Sequence, residues 1–153
     1  MSEYSNLLSK IAELTKESEK DVKIDFLRLE DELVHNQNLI GKWMTYQQVN
    51  QTKLQFIELD YKKLVGDKMK YYTGKMSEDE IISKGWQIEG TKILKSDVGS
   101  WMDSDPDVLK LKKNVLLQNQ ILDLISKTLD ILIDQKKWTI KNYIDWKKWL
   151  EGN

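Results

Sequence analysis

The residues of this 153-residue chain best suited to chemistry form a run of lysines and tyrosines: Lys62, Lys63, Lys68, Lys70, Tyr71, Tyr72 and Lys75, with Thr73 and Gly74 inside its end. Lysine ammonium groups neutralise phosphates and release counterions, and tyrosine rings stack on unpaired bases without choosing among them. The same residues would also suit a solvated helix end, its lysines matched to the negative end of the helix dipole and its tyrosines turned inward. From the residues alone, both readings stand.

Other constellations point to no reaction. The lone histidine, His35, has no cysteine or carboxylate pattern around it, so it reads as a packed or surface residue rather than a metal ligand or catalytic base. Asp103, Asp105 and Asp107 open like a calcium loop, but Val108 stands where that loop needs glycine and Asn114 where it needs glutamate. Asp105 followed by Pro106 instead marks a helix start. Gly85 and Gly90-Thr91-Lys92 imitate a phosphate loop, yet Ile93 replaces its hydroxyl residue and no strand-then-helix context surrounds it. With no cysteine, disulfides, thiolate metal sites and cysteine nucleophiles are excluded. No signal-peptide pattern or bilayer-length apolar run is present, so a soluble protein is expected, without cofactor and without enzymatic activity.

The net charge of −1 conceals alternation along the chain. Residues 1–34 and 76–107 are acidic, whereas residues 53–75 carry six lysines against three acids and residues 136–148 five lysines against one. All but one of the basic residues are lysine, which favours an electrostatic grip of low sequence specificity.

Such residues need elements to carry them. Val22, Phe26, Leu29, Leu33, Asn36, Ile40, Trp43, Gln47, Asn50, Leu54, Ile57, Tyr61 and Leu64 recur at steps of three and four, a helical seam. It predicts an N-terminal long helix over about 22–72 that carries the candidate DNA-binding end. An irregular connector over 75–104 follows, with a small β-hairpin over Trp86 to Ile88 and Thr91 to Leu94. C-terminal helices over about 105–150 present two adjoining seams, one through Leu122, Ile125, Leu129 and Leu132. Trp138, Tyr143, Trp146, Trp149 and Leu150 then supply more apolar area than water tolerates, so burial at a helix or subunit contact is expected of them. The expected fold class is mainly α: one domain over 1–153, a long-helix hairpin or coiled-coil-like protomer that assembles into a homo-oligomer.

In order, Lys20-Asp21-Val22 with Ile24-Asp25, Lys42-Trp43, Tyr71-Tyr72-Thr73-Gly74, and Ser104 with Asp107-Val108-Leu109-Lys110 resemble the UvsY family of recombination mediators of T-even-type bacteriophages. Leu122, Leu124, Leu129-Asp130, Ile140-Lys141 and Glu151-Gly152 continue the likeness, which covers residues 13–153 and is gapless from 20 to 74. The resemblance implies a ring of about six to eight subunits, single-stranded DNA binding, and work beside a RecA-like recombinase and the phage single-strand-binding protein in the cytoplasm of the infected host. It implies no catalysis. Lys68 matches a basic DNA-contact position of the family, and a second such position falls on Gly66. The family's C-terminal part carries assembly. A longer N-terminus and an insertion at 98–102 depart from the pattern. The alternative is a helical structural or adaptor protein with the same seams and no DNA binding.

Overall fold

The computed structural model of the chain describes residues 2–88 and 93–152, and all the regular secondary structure among them is helical. Its elements are α1 (Glu3–Asp21), α2 (Leu29–Tyr72), α3 (Glu78–Ser83), α4 (Val98–Asp103), α5 (Pro106–Asp130), a π-helical turn (Ile131–Lys136) and α6 (Lys137–Leu150). The length suggests one domain; by its packing the chain divides into two compact units, Met1–Lys53 with Leu117–Asn153, and Leu54–Leu116. Helices α2 and α5 contribute to both.

The first unit holds the larger core. Leu14 of α1, Leu39 and Trp43 of α2, Ile121, Ile125 and Leu129 of α5, and Leu132 of the π turn pack together. Polar seam positions are used rather than wasted: Asn36 Nδ2 donates to the Leu132 carbonyl at 2.9 Å, and Gln118 Nε2 donates to both the carbonyl and the side-chain oxygen of Asn50 at 3.0 Å. Such buried partners fix register between helices as well as stability. The wide π turn points Lys136 inward. Its ammonium donates to the Asp21 carbonyl at 2.8 Å and pairs with Glu32 at 3.2 Å.

The long helix starts at Leu29, not at residue 22. Asp25 accepts from the Leu27 N–H at 3.0 Å, a side-chain turn that competes with helix formation, while Val22 closes α1 by donating to Ser18. Asp21 then faces α2, accepting from Lys42 at 2.6 Å and Trp43 at 2.9 Å. Burial pushes its carboxyl up, but these hydrogen bonds outweigh it and hold the group below the usual carboxylate range.

In the second unit α2 ends as its residues dictate. Gly74 adopts φ 71°, Lys75 N–H bonds the Lys70 carbonyl at 2.9 Å and Gly74 N–H the Tyr71 carbonyl at 3.2 Å, the paired bonds of a glycine-terminated helix. The hairpin expected at 86–94 is not formed in its first arm. Trp86, Gln87 and Ile88 make no strand; Thr91 and Lys92 lie outside the described residues, and Ile93 N–H bonds the Tyr72 carbonyl. No strand occurs among the described residues. Met76, Ile81, Val98, Met102 and Val108 are this unit's buried apolar residues.

Candidate nucleic-acid interface

The lysine and tyrosine run divides by direction. Stepping four from Leu64 along the α2 seam reaches Lys68, and the structure buries it: 4% of the residue is exposed. Its ammonium pairs with Asp105 and Asp107, each at 3.0 Å, and sits 3.9 Å from the centre of the Trp86 ring. Lys68, expected at phosphate, thus has its donors facing two carboxylates and an indole in this structure.

Asp105 is the hub of that cluster. One carboxylate oxygen caps α5, accepting from Asp107 N–H at 2.9 Å and Val108 N–H at 3.2 Å. The other takes Lys68 and the Tyr72 hydroxyl. Burial raises the carboxyl's pKa, but the bonds from Tyr72, Lys68 and the helix N-terminus prevail and hold it below the usual range. The same contact, after burial itself, pushes the Tyr72 phenol well above its ordinary value, so it remains a donor.

Tyr71 and Tyr72 are half-buried and engaged. Tyr71 donates to the Gln87 carbonyl at 2.7 Å and meets Trp86 edge-on at 5.2 Å; Tyr72 lies beside Trp101 at 6.4 Å. In this structure both rings pack against the connector. Lys62, Lys63, Lys70 and Lys75 are exposed. Gly66 is exposed on the same helix, and a Cβ added there would meet nothing within 4 Å.

The residues expected to join subunits also divide. Ile125, Leu129 and Leu132 fill the first unit's core and Leu122 is half-buried, so as placed they serve the protomer. Trp138, Tyr143, Trp146, Trp149 and Leu150 are exposed, from 41% to 69%. On α6, Trp138 and Trp149 lie opposite the buried Ile140 and Trp146 beside them, while Tyr143 and Leu150 lie nearer the Ile140 side. Trp138, Thr139, Asn142, Tyr143 and Trp146 line a shallow cleft of about 390 Å³. Tyr143 packs on Phe26 and Trp146 at 4.9 and 5.4 Å.

His35 is exposed, and no group of three or more metal-ligating side chains occurs among the described residues. No helix among them is long and apolar enough to cross a membrane.

The helical scaffold turns a lysine row and an aromatic face outward. Residues 17–153 match the family described as recombination, repair and single-stranded-DNA-binding protein UvsY, and the chain belongs to that family. It is 27% identical over 143 residues to the recombination protein uvsY of Enterobacteria phage T4, covering 94% of this chain and 98% of that one. Crystal structures of the bacteriophage T4 recombination mediator protein UvsY superpose with TM-scores of 0.79 and 0.77 in two lattice types, each at 26% identity. They cover 92% and 90% of this chain, and 97% and 98% of theirs.

Proposed function

We propose that this protein is a recombination mediator that holds single-stranded DNA through Lys62, Lys63, Lys70 and Lys75 and promotes loading of a RecA-like recombinase onto DNA covered by single-strand-binding protein. It works as a ring closed through the aromatic face of α6, without cofactor or catalytic step, in the cytoplasm of the infected host. Membership of a single-stranded-DNA-binding family supports the ligand. The observation that carries the site is the exposed row of Lys62, Lys63 and Lys70 on the last third of α2, with Lys75 just past its end, all apart from the carboxylates that occupy Lys68. Many weak lysine contacts on a ring become firm retention by multivalency.

The test is fluorescence anisotropy with a labelled single strand across a salt series. The double variant Lys63→Ala/Lys70→Ala is expected to weaken binding to every sequence and to flatten the slope of log affinity against log salt by about 1.4, at about 0.7 per lost phosphate contact. Its thermal stability stays that of wild type, since both side chains are solvated. An unchanged slope would favour the adaptor alternative.

Gly66→Lys supplies the converse. The position is exposed, unobstructed and interior to α2, where glycine costs about 1 kcal/mol relative to alanine. The variant is expected to melt higher by a few degrees and to bind single strands more tightly at low salt, with the slope steeper by about 0.7. If the added lysine leaves the slope unchanged, the DNA path runs off this face.

A further inference from the structure

With Tyr71 and Tyr72 engaged in the connector, the base-stacking partner must come from elsewhere. The α2 seam in the second unit runs Leu54, Ile57, Tyr61, Leu64, Lys68, all buried or half-buried. Two positions beyond each lies a second stripe: Phe56, Leu59, Lys63, Gly66, Lys70. Two residues turn a helix by about 200°, so this stripe is the opposite face, and every member is exposed. Phe56 is 62% and Leu59 61% exposed, large apolar side chains on a face that otherwise carries two lysines and an open glycine.

We propose that this stripe is the track of single-stranded DNA and that Phe56 is its base-stacking residue, with Leu59 extending the apolar surface beneath the base. The proposal rests on the DNA-binding function above and names the residue that engages the base. Along the axis Phe56 precedes Lys63 by about 10 Å, and Lys70 follows by the same rise. A strand along the stripe therefore meets a ring first and two ammonium groups after it. Glu58 and Asp60 lie about 120° and 80° from the centre of the stripe. Asp67, about 60° from it and beside Lys63 and Lys70, is paired with Lys84 at 3.0 Å, which offsets its charge. Phenylalanine has no polar group that would explain its exposure, and its flat face stacks on any base. Charge selects this occupant over a second copy of the chain, because Lys63 and Lys70 continue the apolar pair in line and would be desolvated at a subunit contact.

The deciding experiment compares a short thymidine oligonucleotide with an abasic strand of equal length, each titrated into the full chain by anisotropy. Phe56→Ala is expected to weaken binding to the thymidine strand by about 5- to 150-fold, the range of one lost stack. It leaves the abasic strand, the salt slope and the sedimentation behaviour unchanged, and Phe56→Trp restores wild-type affinity. The proposal is overturned if Phe56→Ala binds thymidine as wild type does, if both strands weaken equally, or if the variant changes the assembled mass, which would place a second copy on the ring. Wild type that binds neither strand would overturn the DNA-binding function itself, a result distinct from any of these.

Discussion

Lys68→Met is expected to destabilise the protein by about 3–5 kcal/mol, because it removes one partner of a buried ion pair and leaves Asp105 with too little compensation. Asp105 is 3% exposed and keeps Tyr72 and two backbone N–H groups, which places the loss toward the lower end of that range. The pair with Asp107, whose side chain is 54% exposed, adds little. Urea titration followed by circular dichroism and tryptophan fluorescence reads the loss, since the Lys68 ammonium lies against Trp86. The pH dependence identifies its source. The folded Asp105 carboxyl is held below its ordinary value, so its contribution is complete above the unfolded carboxylate pKa of about 3.9 and is lost as pH falls through the lower folded value. Without Lys68, burial is less opposed and the folded pKa rises, so the variant's deficit is largest near neutrality and narrows in acid. A Lys68 variant that loses DNA affinity while keeping wild-type stability at neutral pH would contradict this role and return Lys68 to the phosphate contacts.

Much of the fold is legible in the spacing of apolar residues. From Leu29 onward each seam position of α2 is buried or half-buried, including Asn36 and Asn50, whose polarity would have argued against them one by one. Period is a property of many residues and survives local exceptions. Ends are decided by few residues and read less well: one Asp25 turn displaces the α2 start to Leu29, whereas Asp105-Pro106 and Thr73-Gly74 name their boundaries outright. Helix α1 is obscured by its charges. Its signal is the three-and-four spacing of Leu7, Ile11, Leu14 and Ser18, and Ser18 joins the core by a 2.6 Å hydrogen bond to Thr128.

The site is less legible, because residue type says what a side chain could touch and not where it points. Lys68, Tyr71 and Tyr72 have the chemistry of a DNA contact, yet a connector with no periodic pattern brings Trp86, Gln87 and Asp105 to meet them. One signal was present: Lys68 lies four residues past Leu64 and therefore on the core face. The same counting turns Phe56 outward, although an isolated phenylalanine carries no nucleic-acid signature. The tryptophans of α6 are expected at a helix or subunit contact, and the folded protomer leaves them uncovered.

Trp138→Ala/Trp146→Ala is expected to dissolve the proposed ring without unfolding the single chain. Each indole offers some 150–250 Å² of surface, and a contiguous aromatic face of this extent is more than a monomer ordinarily leaves in water. If both rings are anchors of a subunit contact worth about 2 kcal/mol each, their loss weakens that contact by roughly a thousandfold. Helicity and urea midpoint are expected to hold, because Trp138 and Trp146 are 68% and 52% exposed and the turn of α6 that packs inward is built on Ile140. Ile140→Ala provides the contrast: it cuts a fully buried side chain and is expected to lower stability by about 2–5 kcal/mol. Sedimentation velocity at micromolar protein separates the two effects, a fall in mass at constant stability for the tryptophan pair and a fall in stability for Ile140. DNA binding should follow assembly. Separated protomers keep every lysine of the α2 row but lose the gain from joining sites, so affinity for a long single strand drops by about two to four orders of magnitude while a strand short enough to engage one protomer binds as before. A double variant that sediments as wild type would show that the aromatic face does not close the ring; one that dissociates yet retains full affinity for long strands would show that retention needs no ring.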